Sequence, residues 1–353
     1  MGNPIARELV MTYGWNATAY QTLNPGLRHW FAAGVPAVVA YTRRQNIMLV
    51  AGAPVCDADA LRPVVAQFER FAGQQGCRVC YVCAAERLRD LIADSDAHAT
   101  VVIGAQPVWH PQEWPALIAS RRSLRAQLAR ARNKGVTIES IPCSQAINNA
   151  ELDHVREEWL HARGLPPLHF MVEPRVLRSG GSDRVVFVAR HAGSAVAFLV
   201  ASPIVGRKGY LIEQIARSPH APNGSSELLI DAAMRSFAAQ DRVYATLGLV
   251  ALSNQALDAS AINPWWLRLM MKFAREHANR FYNFRGLEHF RTKLAPARWE
   301  TIYAISNERS FSLRTLYAIG AAFSGISPWQ AIARGLIRAL SHEARRLRQH
   351  RSA

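Results

Sequence analysis

The sequence has few cysteines, few acidic residues and no long apolar run. Its five cysteines in 353 residues do not form the framework of a disulfide-stabilised secreted domain. No stretch reaches the roughly 18 uncharged apolar residues of a membrane-spanning helix, and residues 1–10 lack the apolar core of a secretory signal. These absences predict a globular protein that stays in the cytoplasm.

Common catalytic and metal-binding motifs are also absent. There is no G-x-S-x-G elbow, no Walker loop, no H-E-x-x-H and no G-x-G-x-x-G fingerprint. Cys77, Cys80 and Cys83 have a spacing that resembles a metal site, but they lie in the β-rich run CRVCYVC. Strand alternation would send Cys80 and Cys83 to opposite faces. We therefore expect a buried strand here, with no metal and no cofactor.

Basic charge is what the chain has in excess. It contains 42 Lys and Arg against 26 Asp and Glu, a net charge of +16. Such a surface attracts polyanions, of which nucleic acid and the anionic leaflet of a membrane are the common ones. Composition leaves both open, together with the simpler interpretation that the arginines reflect genomic composition.

One order of elements, hairpin, helix and strand, occurs twice. The first copy has a turn at Arg43–Asn46, an amphipathic helix over about 57–75 and the strand CRVCYV. The second has a turn at His191–Ser194, the strand GYLIEQIA, a helix that begins near Ser225 and the strand RVYATLGL. The order resembles the Gcn5-related N-acetyltransferase (GNAT) fold. It predicts an α+β protein of two tandem GNAT-like domains with mixed, largely antiparallel sheets.

A basic helix separates the two copies. In SRRSLRAQLARARNKG, Leu124 and Leu128 make a narrow apolar stripe and basic residues crowd the remainder. We predict that Arg125, Arg132 and Lys134 bind a polyanion, and a solvated helix face is the alternative. The predicted boundaries are 1–118 for the first domain, 119–136 for the connecting helix, 137–326 for the second domain and 327–353 for a basic amphipathic tail.

Three segments carry a resemblance to a known family: IEQIARSPHAPNGSSELLI at 212–230, TLGLVALS at 246–253 and FYNFRGLEHFRTKLAP at 281–296. They resemble the catalytic domain of the aminoacyl-tRNA-dependent phosphatidylglycerol aminoacyltransferases, the multiple peptide resistance factors. The resemblance implies transfer of an amino acid from aminoacyl-tRNA to a hydroxyl of an anionic membrane lipid. It also implies an active site in the second domain, reached by a tunnel that joins a tRNA side to a lipid side.

The resemblance also implies the site residues. Glu213 and Lys293 match catalytic positions, with Glu213 accepting a hydrogen bond from the acceptor hydroxyl or holding the α-ammonium group. A structural carboxylate paired with Arg217 is the alternative for Glu213. For Asn223 the alternative is a turn-forming residue before a helix, and for Ser253 it is a capping residue. The implied substrate-binding residues are Arg217, Asn223, Gly224, Ser253, Asn254, Arg285 and Arg291. With aminoacyl-tRNA as the implied donor, the polyanion expected on Arg125, Arg132 and Lys134 is tRNA.

Other functions stay open at the level of sequence. Arg190 to Ala195 fits the coenzyme A motif R/Q-x-x-G-x-G/A, but it falls in a predicted hairpin turn. The position after the central strand has Pro222 and no matching glycine pair. An N-acyltransferase that uses acyl-CoA or aminoacyl-tRNA on a soluble acceptor is one alternative. A non-catalytic protein that binds RNA or membrane is the other.

Two helices complete the sequence-based expectations. Trp265, Leu269 and Phe273 have helical spacing and are expected to pack in the core. The tail 327–353 is expected to be an interfacial helix, with a stripe packed on the protein body as the alternative. The tail would place the protein at the inner face of the cell membrane. Family members often carry an N-terminal flippase region, which this sequence does not contain. We expect either a product that is not moved across the bilayer or a different acceptor, which could be another lipid or a small soluble amine.

Overall fold

The computed structural model describes residues 3–163, 169–173, 175–178, 183–277 and 284–324. The described residues form twelve strands: β1 (Arg28–Phe31), β2 (Val38–Arg44), β3 (Ile47–Ala51), β4 (Arg78–Ala84), β5 (Ala99–Trp109), β6 (Thr137–Pro142), β7 (Val185–His191), β8 (Ser194–Ile204), β9 (Gly209–Arg217), β10 (Tyr244–Thr246), β11 (Val250–Ala251) and β12 (Arg298–Ser306). The predicted tail, 327–353, lies outside these residues.

Eleven helices pack on the strands within the same described ranges. They are α1 (Pro4–Tyr13), α2 (Leu61–Gln74), α3 (Glu86–Leu91), α4 (Trp114–Ser120), α5 (Arg122–Asn133), α6 (Cys143–Ala146), α7 (Ala150–Arg163), α8 (Ser225–Ala239), α9 (Trp265–His277), α10 (Phe284–Lys293) and α11 (Leu313–Ser324). Within the part of the chain that is described, no helix has the length and apolarity needed to cross a bilayer.

All twelve strands belong to one sheet of order β1-β2-β3-β4-β12-β5-β10-β9-β8-β7-β6, with β11 beside β5. Most neighbours are antiparallel. The parallel pairs are β3 with β4 and β9 with β10, and in each pair a helix, α2 or α8, connects the two strands. The predicted repeat of hairpin, helix and strand is therefore confirmed, and with it the α+β class of two GNAT-like halves.

Strand β12 lies far from its neighbours in the sequence. It is antiparallel to both β4 and β5, so residues 298–306 complete the sheet of the N-terminal half. Helix α11 follows and packs on β2 and β3. Backbone pairing on both sides, with β4 and with β5, decides the place of β12, and chain order does not. The boundaries at 118, 136 and 326 stay predictions, but the half that contains β1 to β5 includes this later segment.

The cysteine strand confirms one expectation and corrects another. Cys77, Cys80 and Cys83 are buried, as the strand interpretation requires. Cys80 and Cys83 nevertheless face the same apolar cluster. Cys83 has a positive φ of 62° and lies where the register between β4 and β12 shifts, so the extra residue of a β-bulge reverses the alternation. No group of three or more metal-ligating side chains occurs among the residues described.

Helix α9 occurs as predicted, but its expected packing is wrong. Trp265, Leu269 and Phe273 are 72%, 62% and 63% exposed. The core contact comes from the other side of the helix, where Leu267 is 4% exposed and Met271 packs on the cluster between β3, β4 and β12. Helical spacing identified a stripe correctly, but it does not determine which side of the helix the sheet covers.

Candidate active site

A gap opens where β9 and β10 separate. In these two parallel strands, only Gly209–Leu211 of β9 pairs with Tyr244–Thr246 of β10. Beyond this point β9 continues beside β8 to Arg217, whereas the chain after Thr246 turns away and joins β5 through β11. Helix α8 begins at the end of β9, and α10 contacts β11. We call the opening between the separating strands the β9–β10 cleft. Most of the predicted site residues lie on the elements around it.

Glu213 lies at an irregularity of β9. The register with β8 shifts between Gln214 and Ile212, which makes Glu213 the extra residue of a β-bulge. Such bulges re-aim side chains and are common beside active sites. The carboxylate is 9% exposed and accepts two hydrogen bonds from Arg184, at 2.8 Å to Oε1 and 3.3 Å to Oε2. The alternative pairing with Arg217 is therefore wrong, because the ionic partner is Arg184.

Arg184 connects Glu213 to the N-terminal helices. Its guanidinium lies 4.7 Å from the ring centre of Tyr20, and the Tyr20 hydroxyl donates to Asp183 Oδ2 at 3.1 Å. Arg7 on α1 pairs with the same Asp183. Burial, as the largest cause, raises the pKa of Tyr20 above its ordinary value, although the charge of Arg184 opposes the rise. Tyr20 thus stays a neutral hydrogen-bond donor under a buried cation.

Lys293 lies at the end of α10 and faces the start of α8. Its Nζ is 3.0 Å from Oε1 of Glu227, and the two side chains are 28% and 12% exposed. Glu227 is in the first turn of α8, where free backbone N–H groups also favour a carboxylate. No hydrogen bond or ion pair joins Lys293 to Glu213 within the described ranges. The two predicted catalytic residues therefore belong to separate ion pairs.

Three further candidates hold α10 against the segment after β10. Ser253 Oγ donates to Glu288 Oε1 at 2.9 Å, and the backbone N–H of Asn254 donates to the same oxygen at 2.9 Å. Arg291, which is buried, donates to the Gly248 carbonyl at 2.7 Å. Sequence reasoning missed Glu288, although its place between the cationic candidates Arg285 and Arg291 in FRGLEHFR was a usable signal. These contacts position the helix that carries Lys293.

The remaining substrate-binding candidates differ in exposure. Asn223 and Arg285 are exposed, and Arg217 is half-buried at the end of β9. The side chains of these three form no hydrogen bond or ion pair with another described residue. Arg217 and Arg285 therefore keep their guanidinium groups available to an anion.

Gly224 has a structural reason to be glycine. Its φ is 95°, and a Cβ there would lie 2.4 Å from the Gln127 carbonyl oxygen of α5. The absent side chain lets α5 approach the start of α8. On α5, Leu124 and Leu128 are buried, which confirms the predicted stripe. The basic helix is therefore packed directly beside the cleft.

The three predicted tRNA-binding residues of α5 have different surroundings. Arg132 pairs with Asp231 of α8 at 2.9 Å, although its own side chain is 54% exposed. Arg125 donates to the Ile118 and Ala119 carbonyls at the end of α4. Lys134 is exposed and has no partner among the residues that the structure describes. Asp231, which also accepts from Trp114 at 3.0 Å, is a helix-joining residue that sequence reasoning missed.

The coenzyme A pattern lies in a hairpin turn, as predicted. Arg190 and Gly193 belong to the β7–β8 hairpin, where Arg190 pairs with Glu139 and Glu151. Its guanidinium therefore joins the hairpin to β6 and to α7.

One sheet with two hairpin, helix and strand halves defines a pair of acetyltransferase-like domains. Residues 7–306 match the family model described as phosphatidylglycerol lysyltransferase, C-terminal. The match covers most of the chain, which therefore belongs to this family.

Individual relatives are distant. A phosphatidylglycerol lysyltransferase of Staphylococcus epidermidis is 20% identical over 301 residues, covering 84% of this chain and 35% of that protein. An uncharacterised protein of Corynebacterium glutamicum is 22% identical over 302 residues, covering 82% of this chain and 37% of that one. This chain thus spans about a third of the length of these curated relatives.

Two solved structures share the fold. The C-terminal domain of a putative lysylphosphatidylglycerol synthetase from Agrobacterium fabrum aligns with a TM-score of 0.73 at 23% identity, covering 91% of this chain and 96% of that chain. L-PGS from Bacillus licheniformis aligns with a TM-score of 0.71 at 19% identity, covering 96% and 97%.

Proposed function

We propose that this chain transfers an amino acid from aminoacyl-tRNA to a hydroxyl of an anionic, phosphatidylglycerol-like membrane lipid. The observation that carries the proposal is the buried Glu213–Arg184 pair at the bulge of β9, where β9 and β10 separate. Membership of the phosphatidylglycerol lysyltransferase family supports the class of donor and acceptor.

The chemistry needs alignment more than activation. An aminoacyl ester already has a good leaving group, the ribose oxygen of tRNA. The lipid hydroxyl oxygen adds to the ester carbonyl, the tetrahedral intermediate collapses, and the departing ribose oxygen takes up the proton that the hydroxyl loses. Holding both reactants in place and stabilising the oxyanion supply most of the rate enhancement.

The residues of the cleft suit these tasks. Glu213 Oε2 receives one long hydrogen bond from Arg184, so it can accept another from the lipid hydroxyl or from the α-ammonium group. Lys293 uses one N–H on Glu227 and retains two for a developing oxyanion. Arg217 and Arg285 can hold phosphate of the lipid or of the tRNA end.

The surroundings of the cleft support two polyanionic partners. The basic helix α5 packs beside the start of α8 and would receive tRNA. The acceptor would come from the inner face of the cell membrane, to which the protein would bind peripherally. The division into a first domain, a connecting helix and a catalytic domain belongs to the same proposal.

The test is an assay with a mixed pool of charged tRNAs and total bacterial lipid. One labelled amino acid should enter the organic phase, and the label should be lost with Glu213→Gln. A matched reaction with acetyl-CoA and soluble amines should give no product. Transfer from acetyl-CoA, or no lipid labelling with any amino acid, would contradict the proposal.

A further inference from the structure

The outward face of α9 is apolar. Trp265 and Leu269 are 72% and 62% exposed, Met270 is 45% exposed, and Ile262 in the turn before the helix is 60% exposed. Scattered single apolar residues are normal on protein surfaces, but a cluster of large ones on one helix indicates an interaction site. This cluster, which we call the α9 patch, lies outside the candidate active site.

The patch has a basic border. At about 100° per residue, Trp265 and Leu269 lie about 40° apart and Met270 extends the stripe to about 140°. Arg268 and Lys272 lie beside Trp265 on the same exposed side, and neither forms an ion pair with a described residue. Glu276 in the last turn is the acidic residue of α9. An apolar stripe bordered by cations is the pattern of a helix that lies in a membrane interface.

The side of α9 opposite the patch is fixed to the sheet. Leu267 is buried, and the Asn263 side chain makes two hydrogen bonds with the backbone of Val102 on β5, at 2.7 and 2.9 Å. Exposure of Trp265 and Leu269 is therefore imposed by the packing of the opposite side. A preformed face of this kind binds a surface without first having to fold.

The patch is connected to the candidate site. Arg275 of α9 donates to Asn254 at 2.7 Å, and Asn254 and Ser253 both bond Glu288 of α10. Helix α10 ends at Lys293. A lipid surface that meets α9 would thus lie beside the elements that form the cleft.

We propose that the α9 patch docks the protein on an anionic bilayer, with Trp265 and Leu269 inserted at the level of the headgroups and with Arg268 and Lys272 on the phosphates. The inference rests on the proposed function, because it says how a lipid acceptor reaches the cleft. Tryptophan is enriched at membrane interfaces, and exposed cations beside it match an anionic leaflet better than they match another basic protein surface.

The test is sedimentation of the full chain with phosphatidylglycerol–phosphatidylcholine vesicles, without tRNA. Trp265→Ser combined with Leu269→Ser should weaken binding about tenfold or more, since interfacial binding scales with the apolar area that inserts. Arg268→Gln and Lys272→Gln should each weaken it about fivefold at low salt. Leu313→Ser, a change at a residue 62% exposed on α11, is the matched control and should bind normally.

Three outcomes would overturn the inference. The first is unchanged vesicle binding in the Trp265 and Leu269 double variant. The second is loss of binding only when Trp329 and Leu336 of the tail are changed to Ser. The third is a dimer that dissociates in the double variant, which would make the patch a contact with a second copy.

A parallel reaction keeps failure of the proposed function separate. With short-chain phosphatidylglycerol dispersed below its micelle concentration, the Trp265 and Leu269 double variant should transfer as fast as the wild type. If the wild type binds vesicles through the patch but labels neither lipid form, the proposed function fails and the docking surface stands.

Discussion

Replacing Glu213 by Gln removes a buried charge as well as a candidate catalytic group, so its two effects must be separated. The side chain of Arg184 is 2% exposed, and its pairing with Glu213 provides its compensating charge. Removing one partner of a buried pair typically destabilises a protein by about 3 to 5 kcal/mol. Because glutamine keeps one acceptor oxygen, we expect a loss near the lower end, about 3 kcal/mol.

Glu300 offers a matched control for this loss of stability. It accepts two hydrogen bonds of 2.8 Å from Arg207, and it also bonds Tyr244 at the start of β10, away from the point where β9 and β10 separate. Burial would raise the pKa of Glu300, but the hydrogen bonds and charge of Arg207 outweigh it and lower the pKa to about 2. A shift of this size corresponds to at most about 3 kcal/mol of stability at neutral pH, because solvent screens the partly exposed carboxylate.

The two variants should therefore lose similar stability and differ in activity. Urea titrations would measure the free energy of unfolding, and transfer would be measured at a temperature where both variants are folded. Transfer by Glu213→Gln should fall by at least about a hundredfold, as expected when an aligned polar group is lost. Transfer by Glu300→Gln should stay within about threefold of the wild type. Equal losses in both, or near-normal transfer by Glu213→Gln, would refute the assignment of Glu213 to the site.

The remaining predictions concern charge and packing. Lys293→Ala should lower transfer at least about a hundredfold with an unchanged circular dichroism spectrum, and normal turnover would remove it from the site. Lys134→Ala should reduce the salt slope of tRNA binding by about one, whereas Arg132→Ala should also lower the melting temperature, because it unpairs Asp231. The stabilisation from Glu300 is present above about pH 4.5 and is lost as the pH falls toward 2. Unfolding of Glu300→Gln should therefore depend less on pH in that window, and an unaltered profile would contradict the pairing. Gly224→Ala should destabilise the protein by more than about 1 kcal/mol in urea titrations, since φ is positive and α5 is in contact.

Local patterns in the sequence were sufficient to predict the helices and strands and, for some of them, which face is buried. The turn between β2 and β3, the helix α8 and the buried stripe of Leu124 and Leu128 follow from turn residues, caps and periodicity. These signals act over a few residues, so they survive in any fold that uses the segment. The resemblance of three short segments was equally local, and it indicated the family that the match over residues 7–306 confirms.

Only the tertiary structure decided which residues or strands each of those faces contacts. Glu213 pairs with Arg184 and Lys293 with Glu227, which are contacts across 29 and 66 residues that no spacing rule predicts. The same holds for β12, which enters the sheet between β4 and β5, and for the face of α9 that remains exposed. Periodicity defines a face relative to its own helix or strand. Whether that face meets the sheet, a charge or the solvent depends on which distant segments fill the adjacent space.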